Sequence, residues 1–200
     1  MTLMEDRVYF VQTGPYYVRN GLEVVRTGDM RRFVAARTKK EASELALYPR
    51  KGGEAYAEFL RALGTSVQAV IEAKVDGYAI SLEKIVCGTK EASNVSKEGL
   101  WFAEILLRQI YSQLSGHKGN TRDFDYAVFL VASSEPEAIK AIRKRFFWTP
   151  KEFSDAYYED NCPPPEYFDL ECSIPFLSRV EVPGYKIRLE KAQVHQMIRN

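Results

Sequence analysis

The sequence predicts an α/β (α+β) protein, a mixed sheet packed with helices and preceded by an N-terminal antiparallel β-hairpin region. Three observations predict it. Residues 7–37 alternate short runs of β-branched and aromatic residues with turn residues. Several later stretches open with helix-capping chemistry. The segment Tyr126-Ala127-Val128-Phe129-Leu130-Val131 is a nearly continuous apolar run, suited to a strand covered on both faces.

Taken in order, the chain reads as extended over Arg7 to Gln12, breaks at Gly14-Pro15, and is extended again over Tyr16 to Arg19. Asn20-Gly21 supplies a hairpin turn, because both residues tolerate positive φ. Leu22 to Arg26 and Arg32 to Arg37 complete the region. A helix starts at Thr38, whose hydroxyl caps it while Glu41 reaches back, and runs to about Tyr48 before Pro49. Glu54 to Leu63 repeats apolar residues at helical spacing up to Gly64. Ser66 to Val75 is rich in β-branched residues and predicts a strand ending at Asp76-Gly77. After an extended Tyr78-Ala79-Ile80, Ser81 is read as capping a helix that carries Ile85 and Val86.

Ser96 is read as capping a long helix to Leu114. Leu100, Ala103, Leu107, Ile110 and Leu114 fill one face, Ile105 and Leu106 widen it, and Glu104 pairs with Arg108 across one turn. A loop over Gly116 to Asn120 leads to a strand over Asp125 to Ala132. Ser134-Glu135-Pro136-Glu137 and Thr149-Pro150-Lys151-Glu152 open two further helices. Cys162-Pro163-Pro164-Pro165 enforces an extended connector, since prolines cannot donate backbone hydrogen bonds. It is followed by a Tyr167 to Cys172 strand, a Val180 to Ile187 hairpin turning at Pro183-Gly184, and a closing helix from about Arg188. The domain reading is a main domain over 1–160 that includes the hairpin region, with 161–200 as an extension packed on it.

Charge is balanced, with 28 Lys+Arg against 27 Asp+Glu, so nucleic-acid contact requires a local patch. The 3 cysteines form no CxxC pair and only 2 histidines are present; no metal and no cofactor are expected. An odd cysteine count points to a reducing, cytoplasmic setting, although a Cys162 to Cys172 bridge stays open. No apolar run approaches the roughly 20 residues that cross a bilayer, so no membrane association is expected.

No serine triad, nucleophile elbow or glycine-rich phosphate loop is present. Glu72-Ala73-Lys74 on a strand places two side chains on one face at the spacing used by a class of metal-dependent nucleases, with Asp29 as a candidate upstream acid. The alternative is an ordinary solvent-facing ion pair. Positive charge gathers at Arg26, Arg31, Arg32, Arg37, Lys39 and Lys40, and again at Lys140, Arg143, Lys144 and Arg145 beside Phe146-Phe147-Trp148.

From about residue 67 to 155 the chain carries Val67-Gln68-Ala69-Val70, then Ser81-Leu82-Glu83-Lys84-Ile85-Val86, then Trp101-Phe102-Ala103-Glu104-Ile105-Leu106-Leu107-Arg108. The apolar run Ala127 to Ala132 and Ser134-Glu135-Pro136-Glu137 follow. This order resembles the small non-catalytic KEOPS subunit family, whose members bind the complex's Bud-type kinase. The resemblance implies a non-catalytic role in making threonylcarbamoyladenosine in transfer RNA, with a small kinase-like protein subunit and the transfer RNA 3′ end as partners. The residues to watch are then Lys84, Lys90, Glu104 and Arg108, with Lys140, Arg143, Lys144 and Arg145 as a second surface. Two other readings stand beside it: a nuclease of the PD-(D/E)xK type using Asp29, Glu72 and Lys74, and a structural protein-interaction module. A homo-oligomer is left open.

Overall fold

The computed structural model describes residues 5–14, 16–20, 23–27, 30–47, 65–85, 98–111, 120–156 and 165–192. The chain is an α+β protein, and every strand pairing among the described residues is antiparallel. It divides into two compact units, one formed by Met1–Asn94 with Val180–Asn200 and the other by Val95–Arg179. The boundary expected near residue 160 therefore falls inside the second unit. Among the described residues no helix is long and apolar enough to cross a membrane.

In the first unit, β1 (Arg7–Gly14) lies between β4 (Met30–Ala36) and β5 (Ser66–Glu72). β2 (Tyr16–Asn20) pairs with β3 (Glu23–Thr27). Thr13 lies opposite Met30 and Tyr16 opposite Thr27, so the two strand pairs share one register, and Asn20, expected in the turn, pairs with Glu23. Strand alternation sends Tyr9 and Val11 to one face of β1 and Val8 and Phe10 to the other, and all are buried. The first face receives α1 (Lys39–Leu47), whose Ala42 and Ala46 pack on Tyr9, Val11 and Ala36. The predicted cap is present: Glu41 N–H donates to Thr38 Oγ1 at 3.1 Å, and Arg37 N–H donates to the Glu41 carboxylate at 2.9 Å. Arg32 donates to the Ala46 carbonyl at the helix C-terminus, 3.3 Å away.

The segment read as a Ser81-capped helix is instead strand β6 (Tyr78–Lys84). Tyr78, Ile80 and Leu82 are half-buried, while Ala79, Ser81 and Glu83 face solvent, a period of two that a helix cannot sustain. Its partner is β10 (Tyr185–Lys191), with Leu82 opposite Ile187 and Ile80 opposite Leu189. The closing helix expected from Arg188 is thus corrected to strand as far as Lys191. The turn at Pro183-Gly184 is present, with Gly184 at φ +80 and Tyr185 N–H donating to the Val182 carbonyl at 3.0 Å. Val180 to Val182 form no strand, and β10 finds its partner in β6 instead. Gly77, also at positive φ, turns the chain between Val75 and Tyr78. The predicted Glu54 to Leu63 helix lies outside the described residues.

The second unit is a sheet in the order β8-β7-β9, formed by β7 (Gly99–Tyr111), β8 (Thr121–Ala132) and β9 (Phe168–Arg179). The long helix expected from Ser96 is therefore corrected: its described part is the central strand. Ala103, Ile105, Leu107 and Gln109 are buried on one face, and Glu104, Leu106, Arg108 and Ile110 are half-buried on the other. β8 is longer than predicted and is not covered on both faces, since Asp123, Asp125 and Ala127 are exposed. On β7 the face carrying Glu104 is buried at Leu100 and Phe102 and half-buried from Glu104 to Ile110.

Two helices close the buried face. α2 (Glu135–Phe146) inserts Ile142 and Phe146 against Ala103 and Ile105. α3 (Pro150–Ala156) inserts Phe153 against Leu107 and Phe168. Both predicted caps form. Glu137 accepts from the Ser133 N–H at 3.0 Å and from the Ser133 hydroxyl, and these bonds hold its carboxyl below the usual range. Glu152 accepts from the Thr149 N–H at 2.8 Å, with the same effect.

Gln109 is the polar intruder in this core. It is 1% exposed; its Oε1 accepts from the Tyr111 hydroxyl at 3.2 Å, while its Nε2 has no hydrogen-bond partner among the described residues. A buried donor left unpaired costs its desolvation, so Gln109→Leu is expected to raise unfolding free energy by about 1 kcal/mol. Urea denaturation of the variant beside the parent chain checks this, and a loss of stability would show that the bond from the Tyr111 hydroxyl outweighs the unpaired Nε2.

Candidate functional site

A recess of about 660 Å³ in the first unit gathers charges of both signs, among them Glu5, Asp6, Arg7, Glu72, Lys74 and Asp76. Glu72 sits opposite Tyr9 on the β5 edge of the sheet and Lys74 follows just beyond the strand. Arg7 Nη1 donates to Glu72 Oε1 at 2.9 Å, and Lys74 Nζ stands 3.8 Å from Glu72 Oε2. Asp6 accepts from the Tyr185 hydroxyl at 2.9 Å and lies 3.7 Å from the Arg37 guanidinium. Burial raises the Tyr9 phenol above its ordinary pKa, and the Glu72 carboxylate adds to this while Arg7 opposes it.

The chemistry of this recess is that of compensated ion pairs. The Glu72 carboxylate, which a nuclease would offer to a metal, is occupied by the Arg7 guanidinium and approached by Lys74. Asp29 lies outside the described residues. Among the described residues no group of three or more His, Cys, Asp or Glu side chains is arranged to hold a metal ion. Arg7 is not visible in the sequence as part of this site, because it approaches Glu72, 65 residues away in the chain, only after β1 and β5 pair.

The charged pair read on the long helix is rearranged by the strand. Residues four apart along a strand are separated by about 13 Å, too far to pair. Arg108 instead grips Asp123 on β8 with two hydrogen bonds of 2.8 and 3.1 Å. Those bonds lower the Asp123 pKa and raise that of Arg108, with Glu171 across β9 adding to the latter. Glu104 is half-buried on the same face, opposite Ala127 and Phe176. Lys84 ends β6 in the first unit, 6.0 Å from the Tyr185 ring, and Lys90 lies outside the described residues. The paired helices expected to carry Lys84, Glu104 and Arg108 are strands instead, with Lys84 in the first unit and Glu104 and Arg108 in the second.

The second basic cluster does form one surface. Ala138, Ile142 and Phe146 face the sheet, so Lys140 and Lys144 project outward, with Arg143 and Arg145 to either flank; all four cations are exposed. Arg143 lies over the exposed Phe147 ring at 5.6 Å and Arg145 over Phe146 at 5.5 Å. Trp148 is half-buried and stacks on Phe146 with ring centroids 6.3 Å apart, so it serves the core rather than the surface. The first basic cluster differs in that several of its cations have partners. Arg32 and Arg37 are engaged within the first unit, and Arg31 also has a partner.

The two sides of the second unit's sheet differ in charge. The face opposite α2 carries Glu104, Asp123, Asp125, Asp169 and Glu171 against Arg108. The chain matches no protein-family model, no curated protein and no solved structure.

Proposed function

We propose that this chain is a non-catalytic RNA-binding subunit of a larger cytoplasmic assembly, and that the outer face of α2 contacts the RNA backbone. The observation that carries the reading is the arrangement of Lys140, Arg143, Lys144 and Arg145 on a helix whose inner face is fixed in the core. Cations held on a rigid element neutralise phosphates without ordering a loop first. Phe147 beside them offers a ring on which an unpaired base stacks. The carboxylates on the opposite sheet face repel a polyanion and leave α2 as the approach in this unit.

Transfer RNA and a kinase-like protein are the partners the sequence resemblance implies. Two helices of that pattern, at residues 81–86 and 101–108, coincide with strands where described, so the charge geometry of α2 supports the reading more than the family order does. Transfer RNA is nevertheless the natural first ligand. Fluorescence anisotropy with the full chain is expected to show binding that weakens with salt. Replacing Lys140, Arg143, Lys144 and Arg145 with Gln should weaken binding by at least about tenfold and flatten the salt dependence by roughly one unit per contacting cation. Weaker binding of transfer RNA trimmed of its 3′ CCA would support engagement of that end, and equal binding would sink it. Unchanged affinity and salt slope in the Gln variant would remove the α2 surface from the proposal.

A further inference from the structure

On the face of the second unit's sheet opposite α2, Leu100, Phe102 and Phe129 are buried, while the part around Leu106 to Ile110 is flanked by exposed carboxylates and, among the described residues, has the dimensions and charge of a seat for a helix. Side chains on this face come from all three strands: Asp123 and Asp125 on β8, Leu106, Arg108 and Ile110 on β7, and Asp169 and Glu171 on β9. Adjacent strands stand about 4.8 Å apart, so the two acidic rows flank a floor about 10 Å wide, the diameter of an α-helix with its side chains. Leu106 and Ile110 make the floor partly apolar, and Arg108 is neutralised by its two bonds to Asp123. Asp125, Asp169 and Glu171 are exposed on the rims.

A helix that complements this seat is present in the same chain. α2 presents Lys140 and Lys144 outward, Arg143 and Arg145 to either flank, and the exposed Phe147 at its end. Cations on both flanks match acidic rows on both rims, and an apolar tip matches an apolar floor. We infer that the occupant of the open sheet face is α2 of a second copy of this chain. The contact is head to tail, because α2 and the seat lie on opposite sides of one sheet, and such contacts extend into rings or open chains rather than closing as two-fold dimers. One short helix on three strands buries less than a standard interface, so the association is weak and concentration-dependent. Its charge makes it salt-sensitive.

The inference does not depend on RNA binding, and its test contains no RNA. Sedimentation velocity of the full chain at low ionic strength should show mass increasing with concentration, and the effect should vanish near 1 M salt, where the Debye length is about 3 Å. Asp125→Lys with Glu171→Lys reverses the seat, and Lys140→Glu with Lys144→Glu reverses the helix. Each double variant alone should lose at least about tenfold in association constant, through like-charge contact. An equimolar mixture of the two should regain association, since each then carries the complement of the other. Circular dichroism establishes that the variants are folded. If a reversal unfolds the chain, Asp125→Asn with Glu171→Gln and Lys140→Gln with Lys144→Gln read the same loss. A parent chain that stays monomeric at low salt overturns the inference, as does association that survives both changes or a mixture that fails to recover.

Discussion

Ile105→Lys is expected to abolish folding of the second unit, while Leu106→Lys, one residue further on, is expected to leave it folded. Ile105 is 1% exposed and packs among Ala103, Ile142 and Phe146 beneath α2. The described side chains packed around it are apolar, and an uncompensated buried charge costs about 3–5 kcal/mol or more. That is a large part of the roughly 5–15 kcal/mol that holds a domain together. Leu106 points to the other face, opposite Asp125 and Ser173, where an added ammonium meets water and a carboxylate. Its replacement should cost about 1 kcal/mol or less. Thermal unfolding followed by circular dichroism separates the outcomes. Equal damage from both variants would contradict the strand, because only a helix with Ile105 and Leu106 on one widened apolar face predicts it.

The second large effect is expected at Phe153. α3 has 7 residues, too few to hold a helical conformation by its own hydrogen bonds, so its place depends on the side chain it buries. Phe153 is 2% exposed, with ring centroids 5.4 Å from Phe124 and 6.0 Å from both Trp148 and Phe168. Phe153→Ala should cost about 3–5 kcal/mol through lost contact and the cavity left behind. The midpoint of thermal unfolding should fall on the order of 10 °C. Trp148, in ring contact with Phe153, should report the loss as a shift in fluorescence. A variant with an unchanged midpoint would mean that α3 is not held by this ring.

What was legible in the sequence was what is decided within a few residues. The pairs Thr38 with Glu41, Ser134 with Glu137 and Thr149 with Glu152 predict helix starts correctly, because a capping box closes within three positions. Gly184 and Gly77 mark real turns for the same reason. The stretch from Leu100 to Tyr111 reads as a helix although it is a strand, because its apolar residues are too dense to show a period. Length then favoured a helix over a strand of 13 residues. The alternation hidden there is visible only in what differs: Glu104 and Arg108 share parity with Leu106, and the buried set is Ala103, Ile105, Leu107 and Gln109. Ser81 misled differently, as a capping residue that sits in the middle of a strand. The candidate surface was legible where it lies on one element, as with Lys140 to Arg145 on α2. It was hidden where it depends on register, as with Arg108 and Asp123, which meet only because β7 and β8 pair as they do.

The division of the chain also sets an order of events at the ribosome. Val95–Arg179 is continuous in sequence, whereas the first unit is completed only by residues from Val180 onward. β6 emerges early, but its hydrogen-bonding partner β10 is made after the whole of the second unit. At ordinary synthesis rates that is a delay on the order of ten seconds. Until then the backbone groups of β6 that β10 will satisfy are unpaired and its Ile80 and Leu82 lack their partners, the condition in which a strand edge recruits a wrong neighbour. Ser81 and Glu83 on one face of that strand and Lys84 at its end give it a polar, charged margin during the wait. Cutting the gene so that Tyr185–Lys191 is made first, as in a circular permutant, would remove the wait altogether.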